Sequence, residues 1–371
     1  MNLELTEEQI ALRDTVRSFL AEKAPIAGHV RPLLDDATGT TEQVWQGLAA
    51  LGTTGLLVPQ EYDGAGMTMV EAGIVGEELG AGLHPGPWLS SAVAAPRALM
   101  RFGVDSSVAA PLFTGIADGS TIVTVAALDG VRPDVIEHGD GVALRGEIDS
   151  VSDAAAADLI LVLAEDRDGT GLFAVRAPGS GIDITPHTGI DQTRKQFRVR
   201  FDDTPAQRLA AASPDAVEAL IDDVVIAWAA DALGAAQAIL DLVVAYAKVR
   251  RQFGQPIGAF QAVQHLCVDM YETVELARSG VIHALWAADA GSRDERHAAA
   301  MRTRAFSGRL ATVADTAIQV FGGIGFTWEH DAHLYLKRLL SWSAFRGGSD
   351  RYLVQLGAQF AESVLAESRT G

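Results

Sequence analysis

Cysteine is nearly absent: Cys267 is the only one in 371 residues. No disulfide can close within the chain, which fits a reducing compartment. Cys267 itself lies in an apolar helical stretch, where a thiol packs as a small hydrophobe. Basic residues are also few. The chain carries 29 lysines and arginines against 48 aspartates and glutamates, for a net charge of −19. That balance argues against a general binder of nucleic acid or of an anionic membrane surface. The N-terminal stretch Met1-Asn2-Leu3-Glu4-Leu5 has neither the basic region nor the apolar core of a signal peptide. No apolar run approaches the ~18–20 residues of a membrane span. A cytoplasmic protein with no nucleic-acid partner is expected, and no residue is assigned to a metal. With 48% hydrophobic residues the chain can bury a large core, which excludes disorder.

Three regions follow from the patterning. Residues 1–118 read as a helical domain. Thr6-Glu7-Glu8-Gln9 is a capping box, and Leu12, Val16, Phe19 and Leu20 follow at helical spacing. Further helices are expected near 41–52, 69–80 and 89–102, separated by breaks such as Pro59 to Gly66 and His84-Pro85-Gly86-Pro87. Residues 119–210 change to short β-type runs, including Thr121–Val125, Leu159–Leu163 and the strictly alternating Gln196–Phe201. A small antiparallel barrel or sandwich is the natural reading. Residues 211–371 return to helix, beginning at Ser213-Pro214-Asp215 with a cap and a first-turn proline. Val217, Leu220, Ile221, Val224 and Trp228 form one apolar stripe on a helix that runs to about Val249, with more helices near 260–290, 294–321 and 329–340. The fold class is α+β: helices, then a β-domain, then a helical bundle.

Two segments carry chemistry. After the long helix comes Arg250-Arg251-Gln252-Phe253-Gly254-Gln255-Pro256-Ile257, followed by Phe260-Gln261 and Asp269-Met270. Arg250 can grip a phosphate by its fork geometry, Gln252 adds a polar contact and Phe253 a flat apolar surface. Lys337-Arg338 is a second local basic pair that could hold phosphate. The other segment is Gln319-Val320-Phe321-Gly322-Gly323-Ile324-Gly325, whose adjacent glycines let a backbone approach a phosphate closely.

Together these segments resemble the flavin-dependent acyl-CoA dehydrogenases, and the resemblance extends over essentially the whole chain. It implies a three-part fold ending in a four-helix bundle. It also implies FAD, with Arg250, Gln252, Phe253, Gln319, Gly322 and Gly323 holding the adenine and pyrophosphate end across a subunit interface. Implied partners are an acyl-CoA substrate and an electron-transfer flavoprotein or similar acceptor. In the family a glutamate in a Tyr-Glu-Gly-Thr loop removes the proton alpha to the thioester. Here that position is Arg346, in Phe345-Arg346-Gly347-Gly348. A guanidinium offers only donors and cannot take the proton. The family's other base position falls on Val224, which is no acceptor either. Asp231, seven residues on, shares Val224's face roughly 10 Å further along the helix axis and is the alternative base the sequence leaves open. Asp350 reads as a cap for the terminal helix. The family's flavin-flanking Trp-Ile-Thr corresponds to Ser150-Val151-Ser152, so Ser152 keeps a hydroxyl and Ser150 loses an indole.

Adenine-side motifs are thus kept while base positions are empty. The expected protein resembles the non-base subunit of a heteromeric, α2β2 acyl-CoA dehydrogenase of the kind actinobacteria use on steroid side chains, completed by a homologous Glu-bearing partner. The alternatives are a self-sufficient homo-oligomer with a relocated base, and a flavin monooxygenase on the same fold.

Overall fold

The computed structural model describes residues 4–138 and 141–370; Met1–Leu3 of the N-terminal stretch lie outside the described residues. Among the described residues five α-helices come first: α1 (Glu7–Lys23), α2 (Glu42–Ala50), α3 (Met69–Ala81), α4 (Ala95–Arg101) and α5 (Ser106–Ala117). Thr6 caps α1 in a full capping box with Gln9, and Thr68 does the same for α3 with Glu71. Strands follow: β1 (Val123–Ala126), β2 (Asp134–His138), β3 (Gly141–Ser152), β4 (Leu159–Asp166), β5 (Gly169–Arg176), β6 (Ile182–Pro186) and β7 (Gln196–Ala211). The chain closes with α6 (Pro214–Val249), a two-residue hairpin pair β8 (Arg251–Gln252) and β9 (Gln255–Pro256), then α7 (Gln261–Ala290), α8 (Arg293–Ser307), α9 (Leu310–Phe321), α10 (Ala332–Ala344) and α11 (Gly348–Thr370).

The strands form a closed circuit. β4 pairs with β5, β5 with β7, β7 with β3, β3 with β2, and β2 returns to β4 through Asp134 and Glu165. Alternation decides the inside: Phe197, Val199 and Phe201 are buried while Arg198 and Arg200 point outward. The barrel is not wholly antiparallel. β1 lies parallel to β4, because the β2–β3 hairpin between them carries the chain back to the starting edge.

α6 belongs to two cores. Its N-terminal turns, with Val217, Leu220 and Val224, pack on the barrel and α4–α5. Its later turns pack with α1–α3 and α7–α10. Because neighbours surround it, α6 is apolar nearly all round, and by length and composition it could cross a membrane. Reading uninterrupted apolar runs overlooks this helix; half of its most apolar window is buried inside the fold. At its crossing with α3 the two backbones touch. A Cβ on Gly234 would meet the Glu77 carbonyl oxygen at 1.8 Å, and one on Gly80 the Asp231 carbonyl oxygen at 1.9 Å. The helix expected over 294–321 is two helices, α8 and α9. They break at Gly308, where a Cβ would lie 1.8 Å from Ser349 Oγ. Cys267 is only partly buried, against the α6–α10 core.

Candidate functional site

Val224 of α6 and Arg346 of the loop after α10 line one cavity of about 380 Å³. The two positions where the resemblance places a base therefore meet, though 122 residues separate them. Its other walls are the end of β1, the β1–β2 loop, the end of β3 and the segment before α4. Trp228 and Phe345 stack inside it, ring centroids 4.8 Å apart. Arg346 also lines a second cavity, of about 370 Å³, between α6, α8 and α11.

The loop that carries Arg346 is tightly built. Arg346 has φ 52° and ψ 40°, and Gly347 and Gly348 also have positive φ. A non-glycine residue in this region costs roughly 1–2 kcal/mol, so surrounding contacts must hold it. Arg304 of α8 supplies them. It donates to the carbonyls of Phe345 and of Ser343, at 3.0 Å to the latter, and its guanidinium lies between the rings of Trp342 and Tyr352. Burial pushes Arg304 down to about 10, with Arg346 acting in the same direction. Arg346 pairs with Asp129 of the β1–β2 loop. Asp129 is thus a carboxylate inside the cavity, but a guanidinium already holds it. Asp350 lies in the first turn of α11, which begins at Gly348.

The opposite wall is polar. Gln196 bridges two serines: Ser150 donates to its side-chain oxygen at 3.0 Å, and its amide donates to Ser152 Oγ at 2.9 Å. The neighbouring cavity residue Ser90 donates to the carboxylate of Asp153. Burial pushes Asp153 up to about 6, against the pull of Ser90, Arg194, Lys195 and Arg338. Sequence reading missed Gln196, Ser90 and Asp153, because nothing in the local pattern marks them.

Asp231 is not at the cavity. It is buried, bound by Arg338 at 2.9 Å and by Arg194 at 2.5 Å. Burial alone raises its pKa, but the two guanidinia outweigh that and hold it below the ordinary range. A carboxylate so engaged is a structural ion, which removes the physical basis for a relocated base at this position. Arg338 is spoken for as well: it is 2% exposed and also pairs with Asp191 at 3.0 Å, so it does not offer a phosphate site. Asp223 binds Arg97 and Arg101, and Asp222 binds His297 and Arg296. Glu218, Asp222 and His297 stand within 4.8 Å of one another, but Arg293 and Arg296 already neutralise the two carboxylates.

The other candidate residues lie on the opposite end of the bundle. Tyr246 of α6 meets Phe321 of α9, ring centroids 5.1 Å apart, which brings the two motif segments side by side. Arg250, Gln252, Gln319, Gly322 and Gly323 are exposed. Phe253 is 92% exposed, held at φ 51° before Gly254 at φ 84° in the β8–β9 turn. Gly254, Gly322 and Gly323 have open space where a Cβ would stand. An exposed guanidinium beside unobstructed glycine backbone fits a diphosphate, and the flat exposed ring beside it fits an aromatic base. That donor set suits the adenine half of FAD. Ser152 lies apart from it, in the 380 Å³ cavity.

Comparison with known proteins bears on the family. Residues 6–110 match the family model described as acyl-CoA dehydrogenase, N-terminal domain, and residues 219–360 match acyl-CoA dehydrogenase, C-terminal domain. The acyl-CoA dehydrogenase IpdE2 of Mycobacterium tuberculosis is 33% identical over 90% of this chain and 91% of its own length. The solved ChsE4-ChsE5 complex from Mycobacterium tuberculosis is similar at 27% identity and TM-score 0.88, covering 98% of this chain and 99% of that one. A variant of the Tcur3481-Tcur3483 steroid ACAD is similar at 29% identity and TM-score 0.87, covering 97% and 99%.

Proposed function

This chain belongs to the acyl-CoA dehydrogenase family, and within it we propose that the chain is the subunit lacking a base in a heteromeric complex. The carrying observation is that both base positions, Val224 and Arg346, line one cavity and neither can accept a proton. The two-component solved structures similar to this chain support the same reading.

In this reading the chain serves a partner's site. Arg250 and the backbone at Gly322 and Gly323 hold the pyrophosphate, while Gln252, Phe253 and Gln319 position the adenosine. Bound FAD supplies the hydride acceptor for oxidation of the Cα–Cβ bond of an acyl-CoA. The α proton goes to a carboxylate on a homologous partner, and an electron-transfer flavoprotein or similar acceptor removes the electrons. The steroid relative makes steroid-derived acyl-CoA thioesters the first substrates to test.

The test is flavin content and flavin bleaching, measured on the chain alone and on the chain with its copurifying homologue. The complex should bleach on addition of acyl-CoA and the isolated chain should not. Sedimentation should show a dimer or tetramer. Full turnover by the isolated chain would refute the proposal.

A further inference from the structure

We propose that the cavity beneath Arg346 binds an organic carboxylate with an apolar body, held by the Arg346 guanidinium in exchange with Asp129. Three observations meet here. First, the Arg346 side chain is 10% exposed, yet its Nε has no hydrogen-bond partner among the described residues. A buried donor without an acceptor is costly, and a carboxylate can take Nε together with a terminal nitrogen in the forked arrangement. Second, the present partner is weakly committed. The Asp129 side chain is 52% exposed and sits on the β1–β2 loop, where Ala127 and Gly130 have positive φ. An exposed Asp129 carboxylate can turn to solvent, so an entering carboxylate takes its place against the guanidinium in competition with it. Third, the chamber is about 380 Å³ and has an apolar side, formed by Leu89, Val125, Leu128, Ile148, Trp228 and Phe345, opposite the polar wall of Ser150, Gln196 and Ser152. That volume lies in the range of small-molecule sites. The acidic groups at its rim, Glu147 and Asp149, are both within reach of Arg198, at 3.2 and 3.1 Å, so they do not oppose an entering anion unscreened.

A thioester presents only a neutral carbonyl to Arg346, so the site selects a free acid over its thioester. The inference concerns this chain's own cavity and does not depend on the heteromeric reading.

Octanoate is a suitable probe, with octanamide as its neutral counterpart of the same shape. Calorimetric titration of the protein as purified, with any copurifying subunit, should show octanoate binding at least tenfold tighter than octanamide. Arg346→Ala should abolish that preference. Asp129→Ala should tighten octanoate binding several-fold, because it removes the competing carboxylate, and this variant needs no change on the strained loop. Equal affinity for acid and amide, weaker binding in Asp129→Ala, or no octanoate binding would each overturn the proposal.

Discussion

Arg346 and Asp129 form an ion pair across the cavity they both line, tying the loop between α10 and α11 to the loop between β1 and β2. Arg346, where the resemblance places the family's base, is therefore a fastener between the bundle and the barrel, and it lines a cavity of about 370 Å³ as well as the one of about 380 Å³.

Arg346→Glu would place a carboxylate at the family position but set it against Asp129. We expect it to lose about 1 kcal/mol of stability, the scale of a partly exposed pair, and to gain little or no dehydrogenase activity. Adding Asp129→Arg should restore the stability by reversing the pair. Thermal unfolding of the two single variants and the double variant measures this, and an unrecovered double variant would show that the pair does not act as a fastener.

Arg250→Ala should weaken FAD binding by the complex by roughly 1.5–3 kcal/mol, the loss of a charge-assisted phosphate contact. Gln319→Ala should cost about 1 kcal/mol, as a neutral hydrogen bond does. Arg250 and Gln319 are exposed, so the melting temperature of flavin-free protein should hardly move. Titration of flavin-free complex with FAD tests both, and unchanged affinities in the two variants would remove these residues from the cofactor site.

Asp231→Asn should destabilise the protein by about 3–5 kcal/mol, because it leaves Arg194 and Arg338 buried with too little negative charge. Activity of the surviving folded complex per flavin should be unchanged. Selective loss of that activity with normal stability would return Asp231 to candidacy as a base.

Asp153 makes stability depend on pH. Burial raises its folded pKa to about 6 from the ordinary aspartate value of 3.8, so the fold favours the protonated form more than the unfolded chain does. Its contribution is complete below the unfolded value, is lost as pH rises towards about 6, and stays lost above. Asp153→Asn imitates the protonated form. It should therefore be more stable than the parent at pH 7.5, by up to ~3 kcal/mol, and the gap should close between pH 6 and 4. Denaturant titrations at several pH values check the trend, and a gap that widens on acidification would contradict it.

Two glycines should respond oppositely to alanine. Gly234→Ala drives a methyl group into the Glu77 carbonyl and should cost roughly 1–3 kcal/mol or more. Gly280, inside α7 with open space at its Cβ position, should gain about 0.5–1 kcal/mol as alanine. Chemical denaturation of the two variants measures the contrast.

Much of this protein can be read along the chain. The capping box at Thr6, the start of α6 at Ser213-Pro214 and its end near Val249 are local signals, governed by neighbours three or four residues away, and the structure places them there. Alternation in Gln196–Phe201 likewise identifies an inward face. The two motif segments are local strings, and family membership follows from them. Other features have no local mark. Arg338 looks like half of a surface basic pair until the fold buries it against Asp231 and Asp191, 107 and 147 residues away. Asp129 and Arg346 are separated by 217 residues, and Ser90 and Asp153 by 63, so neither pair leaves a trace in periodicity. Even β1 beside β4 in parallel depends on where the intervening hairpin returns. Local propensity acts over a few residues and is written in the order of the chain. Ion pairing, burial and the shape of a cavity depend on which distant segments the packed core brings to the same point.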